Sequence, residues 1–124
     1  MGQKHVLIVD DEPDLVTLLQ YSLQSEDIRC STAHDGEEGL AIAKRERPDL
    51  ILLDVMLPKM HGYKLARLLK YDSEYKAIPI IMLTARAQLR DIAIGTDVGA
   101  DEYVTKPFDM TTLIELVKKY LHQQ

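Results

Sequence analysis

Residues 49–58 read Asp49-Leu50-Ile51-Leu52-Leu53-Asp54-Val55-Met56-Leu57-Pro58. The four aliphatic residues 50–53 have no polar position between them, and the run ends on a carboxylate. A strand with one wet face alternates apolar and polar residues. An unbroken apolar run this short instead predicts a strand buried on both faces, as in a parallel sheet covered by helices on either side. Pro48, just ahead of the run, stops the preceding helix. The pattern recurs along the chain. Residues 5–9 are short, apolar and β-branched and end at Asp10-Asp11, and residues 80–83 follow Pro79 and end at Thr84. Residues 28–33 read as a second strand and 102–105 as a short fifth.

Helical stretches separate these runs. Residues 13–24 place Leu15, Leu18, Leu19 and Leu23 at helical spacing, with Pro13 in the first turn. Asp35 caps the next helix, with Glu38 three residues on. Further helices are expected over 63–72 and 89–98, the latter stopped by Gly99. Asp109 caps a last helix whose apolar stripe is Leu113, Leu116, Val117, Tyr120 and Leu121. Five βα units in succession, joined by right-handed crossovers, predict an α/β fold with a doubly wound, five-stranded parallel sheet.

The 124 residues suit one core, so residues 1–124 are expected to form a single domain, with no effector domain beyond the last helix. A composition 46% hydrophobic and 28% charged is that of a soluble folded chain. The net charge of −5 disfavours direct binding to nucleic acid. Cys30, the single cysteine, excludes an internal disulfide and a Cys-based zinc site and fits a reducing cytoplasm. No apolar run is long enough to cross a membrane, and the N-terminus lacks a signal-peptide core. It begins like a myristoylation signal but has Val6 where a hydroxyl residue is needed.

In open α/β sheets, function gathers beyond the carboxyl ends of the strands. Those ends deliver Asp10 and Asp11, Asp54, Thr84 and Lys106, the last followed by Pro107. Three close carboxylates repel one another unless a cation neutralises them. Oxygen-only donors favour magnesium, calcium or manganese over zinc or copper, and magnesium leaves room for a phosphoryl oxygen. With Lys106 as a point charge and Thr84 as a hydroxyl donor, the set fits an aspartate nucleophile accepting a phosphoryl group in line. Each residue has a plainer reading by itself: Asp10-Asp11 as a helix cap, Asp54 as a turn residue, Thr84 as a strand end, Lys106 as a solvated loop lysine. Their joint placement on successive strand ends carries the argument.

These residues, and the stretches 49–58, Leu83-Thr84-Ala85 and 99–108, resemble the receiver domain of two-component response regulators, the CheY-like family. The resemblance runs from Val6-Leu7-Ile8-Val9-Asp10-Asp11-Glu12 to the final helix. It implies strand order 2-1-3-4-5 and Asp54 as phosphoacceptor. It implies Mg2+, with Mn2+ as the alternative, held by Asp10, Asp11, Asp54 and the backbone carbonyl of Met56. Thr84 and Lys106 would contact the phosphoryl group, and the Lys106-Pro107 bond is expected to be cis. Tyr103 matches the family's switch aromatic, turning inward when Thr84 is drawn to the phosphoryl group. Met56 and Arg86 match the positions that tune phosphate lifetime, and Met56 lacks a base, which implies slow self-dephosphorylation.

The implied function is a cytoplasmic phosphorelay switch, not a metabolic enzyme. It would take a phosphoryl group from a phosphohistidine on a sensor histidine kinase or histidine phosphotransfer protein. It would signal, through the face of the 89–98 helix, the 102–105 strand and the last helix, to a downstream protein or fused effector. One departure stands out. Receivers joined to winged-helix DNA-binding domains pair the fifth strand with a basic residue of the last helix, where this chain has Leu116; Lys118 and Lys119 lie on other faces. A charge-paired dimer is therefore not expected. Lys44, Arg45, Arg47, Lys64, Arg67 and Lys70 read as solvated helix faces, and His34, His61 and His122 as exposed.

Three other readings fit less well. An aspartate-nucleophile phosphohydrolase needs a second acid two residues after the nucleophile, where Met56 stands. A flavodoxin-like carrier needs a hydroxyl- and glycine-rich phosphate cradle after the first strand, where Asp10-Asp11-Glu12 would repel phosphate, and neither nucleotide-binding glycine motif occurs. A receiver-like module used only for protein interaction would not need all five site side chains.

Overall fold

A computed structural model describes residues 2–85 and 99–122. Its strands are β1 (His5–Val9), β2 (Arg29–Ala33), β3 (Leu50–Asp54), β4 (Ile80–Ala85) and β5 (Glu102–Lys106). The described helices are α1 (Pro13–Gln24), α2 (Gly36–Glu46), α3 (Gly62–Lys70) and α4 (Met110–His122). All strand pairs are parallel, in the order β2-β1-β3-β4-β5. The order steps outward from β1 to β2 and then back across to β3, so β1 and β3 flank the point where the chain reverses its direction of travel. A crevice opens there beyond their carboxyl ends.

Every residue of β1 and β3 is buried. Successive side chains alternate between two cores. Leu7, Val9, Ile51 and Leu53 pack with Ala43 of α2 and Leu65 and Leu69 of α3. Val6, Ile8, Leu50 and Leu52 pack with Leu19 and Leu23 of α1 and Leu113 and Val117 of α4. Burying each such aliphatic side chain contributes about 1.5–3 kcal/mol. The uniform apolar runs thus do what a two-faced core requires, and they hold the adjoining acids in register. Among the described residues no helix is long and apolar enough to cross a membrane.

Several boundaries differ from expectation for local reasons. β2 begins at Arg29, not residue 28, with Ile28 buried in the turn before it. β4 and β5 each run past their apolar stretch, because Thr84 pairs with Thr105 and Ala85 with Lys106. Thr84 and Lys106 therefore sit in the last rungs of the ladder, held by backbone pairing. α3 spans Gly62–Lys70 instead of 63–72; beyond it the Asp72 amide bonds three residues back, to the Leu69 carbonyl at 3.2 Å, which tightens and ends the helix. The helix expected over 89–98 lies outside the described residues. Gly99, its expected stop, has φ +77°, a left-handed conformation that suits glycine.

The caps hold. Asp35 accepts from the Glu38 amide at 2.8 Å, and Asp109 accepts from the Thr112 amide at 2.9 Å. The Glu38 carboxylate reaches one residue further back than a capping box requires, to the His34 amide at 2.6 Å. The last helix buries Ile114 besides the expected Leu113, Val117 and Leu121, while Leu116 and Tyr120 are half-buried. Lys118 pairs with Glu26 at 2.7 Å, and Lys119 is exposed.

One expectation is overturned. Lys70 is not a solvated side chain: its Nζ donates to the Lys76 carbonyl at 2.8 Å, the Ile78 carbonyl at 3.0 Å and Asp101 Oδ2 at 2.9 Å. Asp101 Oδ2 also accepts from the Ile80 amide at 2.8 Å. Lys70 thus ties the end of α3 to the starts of β4 and β5. Lys44, Arg45, Arg47, Lys64 and Arg67 are exposed as expected, as are His34, His61 and His122. His61 caps α3, its Nδ1 accepting from the Tyr63 amide at 3.2 Å.

Candidate functional site

The residue after β1, Asp10, is fully buried, its amide donating to the Ala33 carbonyl at 3.1 Å. Its Oδ1 accepts from the Glu12 amide at 2.9 Å, a short loop that turns the chain into α1. Asp54 closes β3 and is 6% exposed. Its Oδ1 accepts from the Met56 amide at 3.4 Å. Gly62, at the start of α3, lets the 55–62 loop pass close beneath this residue. Its amide donates to the Val55 carbonyl at 2.9 Å, and a Cβ there would overlap the Asp54 carbonyl oxygen.

Lys106 reaches across from the last rung of β5. Its Nζ lies 2.9 Å from Glu12 Oε1, 3.1 Å from Asp10 Oδ2 and 3.5 Å from Asp54 Oδ1. Thr84, fully buried, donates to the Ala85 carbonyl at 3.2 Å. Tyr103 is half-buried against the core beneath α2 and α3. The Lys106-Pro107 peptide bond is cis. Met56 is 55% exposed. Arg86 and the 89–98 part of the expected output face lie outside the described residues.

Burial pushes the Asp54 carboxyl up to about 6, reinforced by the charge of Asp10 and opposed by Lys106 and the Met56 amide. Burial likewise raises Asp10, against the Glu12 amide and Lys106. Burial works against the Lys106 ammonium, but the hydrogen bond to Glu12 and the charges of Asp10 and Asp54 outweigh it, and the net displacement is upward. A single ammonium faces three carboxylates.

The carboxylate oxygens that converge are those of Asp10, Glu12 and Asp54, all within 4.8 Å of one another. Sequence reasoning grouped Asp10, Asp11 and Asp54. The structure joins Asp10 to Asp54, adds Glu12 to them within that distance, and leaves Asp11 exposed, with its charge still helping to raise Asp54. The reason is local: the chain bends at Asp11, the Glu12 amide donates back to Asp10 Oδ1 at 2.9 Å, and Lys106 Nζ bridges Asp10 Oδ2 and Glu12 Oε1. The signal was present as the third acid of Asp10-Asp11-Glu12. An oxygen-only donor set with excess negative charge and raised carboxyl pKa values fits a hard divalent cation. Beside this cluster runs a groove of about 410 Å3 lined by Glu12, Leu15, Leu18, Lys106, Pro107, Phe108 and Met110.

A model of the response regulator receiver domain matches residues 6–118. The alkaline phosphatase synthesis transcriptional regulatory protein PhoP of Bacillus subtilis (strain 168) is 45% identical over 97% of this chain and 49% of its own length. The chain spans about half the length of the curated relatives it matches. The signal receiver domain of a signal transduction histidine kinase from Syntrophus aciditrophicus superposes with a TM-score of 0.90 at 34% identity, covering 97% of this chain and 91% of that one. The response regulator TrrA of Thermotoga maritima, solved in complex with Mg2+ and BeF, superposes with a TM-score of 0.84 at 37% identity, covering 95% and 99%. Strand order, convergent strand-end residues and a family match over nearly the whole sequence agree, and the chain belongs to the response regulator receiver domain family.

Proposed function

We propose that this receiver domain, residues 1–124, is a phosphoacceptor switch of a two-component phosphorelay, in which Asp54 receives a phosphoryl group. The donor is a phosphohistidine on a sensor histidine kinase or histidine phosphotransfer protein. The observation that supports this reading is the buried Asp54 carboxylate within 3.5 Å of the Lys106 ammonium, beside Asp10. A carboxyl titrating near 6 is ionised at neutral pH and available as a nucleophile.

An Asp54 oxygen attacks phosphorus opposite the donor nitrogen. The P–N bond breaks, its electron pair returns to the imidazole, which takes up a proton, and a P–O bond to Asp54 forms. Lys106 balances the charge on one phosphoryl oxygen, and the Thr84 hydroxyl turns to another. Asp10, Asp11 and Asp54, with the Met56 carbonyl, are the groups that would hold Mg2+. Bound there, the metal supplies positive charge to the phosphoryl oxygens. The groove along α1 and residues 107–110 offers apolar surface to a donor protein next to the nucleophile.

Movement of Thr84 favours the inward position of Tyr103 and biases an existing two-state equilibrium at the β5 and α4 face. The recipient of that signal is a downstream protein or an effector domain on the same polypeptide. Met56 and Arg86 stand in sequence at the family positions that tune phosphate lifetime. Met56 offers no base there, so replacing it with Asn is expected to shorten the lifetime of the aspartyl phosphate; an unchanged lifetime would remove Met56 from that role. The reading is tested by intact-protein mass after incubation with acetyl phosphate, with and without Mg2+, beside Asp54→Asn. One phosphoryl gain that needs both Mg2+ and Asp54 is expected. No gain under any condition would overturn it and favour a receiver used only as an interaction module.

A further inference from the structure

We propose that Glu12 is a latch on Lys106: a positioning residue that holds the ammonium in the unphosphorylated protein and must release it before Lys106 can serve a phosphoryl group on Asp54. The inference rests on the reading of Asp54 as phosphoacceptor.

A lysine ammonium has three N–H donors and no acceptor. Three carboxylates surround Nζ, those of Glu12, Asp10 and Asp54, and Glu12 is the nearest at 2.9 Å. Nζ donates to Glu12 and to Asp10 and stands 3.5 Å from Asp54, so these two hydrogen bonds hold it back from Asp54, and an ammonium drawn onto a phosphoryl oxygen there must lengthen one of them. Asp10 is the wrong group to lose its partner, because it is fully buried and an unpaired carboxylate there is heavily penalised. Asp54 carries the phosphoryl group. Glu12 remains. Its side chain is 60% exposed, so water can replace the ammonium at small cost.

Among the described residues, only Lys106 bonds to the Glu12 carboxylate. Glu12 is the N-cap residue of α1, yet its side chain makes no capping hydrogen bond. The backbone does the capping work: the Glu12 amide donates to Asp10 Oδ1 at 2.9 Å, and its carbonyl accepts from the Val16 amide at 3.1 Å. Asp14 already places an acid in the first turn of the helix. A Glu12→Gln change therefore leaves the helix start intact and removes only the charge that competes for Lys106.

Beryllofluoride, which mimics a phosphoryl group on a carboxylate, reports the latch directly. Its affinity is measured by titration calorimetry at saturating Mg2+ for the wild-type chain, Glu12→Gln and Glu12→Asp, with Mg2+ alone titrated in parallel and thermal unfolding confirming equal folding. Glu12→Gln is expected to bind beryllofluoride about fivefold tighter, the factor that corresponds to an ion pair of about 1 kcal/mol. Glu12→Asp, which keeps the charge on a shorter arm, is expected to fall between. Equal affinities of wild type and Glu12→Gln would overturn the latch alone. Weaker beryllofluoride together with weaker Mg2+ binding in Glu12→Gln would overturn it by making Glu12 a metal ligand. A wild-type chain that binds no beryllofluoride would overturn the phosphoacceptor reading, and the latch with it.

Discussion

Replacing the Asp54 carboxylate by an amide should stabilise the metal-free fold. Asp54 titrates near 6 in the folded protein against an ordinary value of 3.8, chiefly because burial penalises its charge and Asp10 repels it. Each pH unit of that gap is worth about 1.4 kcal/mol, so at pH 7.5 the ionised group destabilises the fold by about 3 kcal/mol. Asp54→Asn keeps the shape and an acceptor for the Met56 amide and removes the charge. For a chain of this size the gain corresponds to a rise in Tm of roughly 10 °C. The sign with pH follows from proton binding. The folded state holds the Asp54 proton more tightly than the unfolded state, so the wild type recovers stability as the pH falls through 6, and the recovery is complete below 3.8. The advantage of Asp54→Asn is therefore full at pH 7.5, shrinks between 6 and 4, and vanishes below. Asp10 shifts in the same direction, and comparing variant with wild type at each pH separates the two. The assay is thermal and urea unfolding in a chelator across that range. Added Mg2+ should close the gap from the other side, by about 2.7 kcal/mol in favour of the wild type at a hundred times its dissociation constant. An Asp54→Asn variant no more stable than wild type at pH 7.5, or an advantage undiminished at pH 4.5, would refute the electrostatic account of the site.

Three other outcomes follow from the packing. Lys70→Met should lower stability by about 1–2 kcal/mol in urea unfolding, because it removes the donor shared by Asp101 and the Lys76 and Ile78 carbonyls and leaves the Asp101 charge only the Ile80 amide and water; Asp101→Asn in the same background should recover part of the loss. Gly62→Ala should destabilise by about 1–3 kcal/mol and slow phosphoryl uptake from acetyl phosphate, since the added methyl displaces the backbone at Asp54 and Val55. His5 is buried with its Nε2 2.7 Å from Ser31 Oγ, and its pKa is lowered, first by burial and then by the Arg29 charge. The unfolded chain therefore binds the proton more readily, and the stability His5 contributes above pH 6.5 is lost as the pH falls towards its depressed folded value. His5→Gln should flatten that part of the urea-midpoint profile between pH 7.5 and 5.

The legible parts of this molecule are those set by neighbours in sequence. The apolar runs at 6–9, 50–53 and 80–83 became strands because an aliphatic run of that length must be buried on both sides. Asp35 and Asp109 became caps because a short acceptor ahead of a helix meets the amide three residues on. The acids after β1 and at the end of β3 were legible as a site for a related reason, since strand ends of a parallel sheet open on one crevice. The family resemblance implied roles for Tyr103 and Met56 that spacing could not supply. Lys70 was misread because its helix position resembles that of Arg67, while its actual partners, Asp101 and the Ile78 carbonyl, arrive from segments that the helix pattern does not register.

What the sequence determined by itself was therefore the alternation of elements, the strands buried on both faces, and the presence of carboxylates, a hydroxyl and an ammonium at strand ends. These depend on periodicity and on short-range hydrogen bonding, which act within a few residues. The tertiary structure decided which acid meets the ammonium. Glu12 and Lys106 are 94 positions apart, and only the β1 and β5 ends together bring them to 2.9 Å, while adjacent Asp11 turns to solvent. That choice rests on the turn after β1, where the Glu12 amide bonds to Asp10, and on the register of strands on either side of the crevice, which exists only once the sheet has closed.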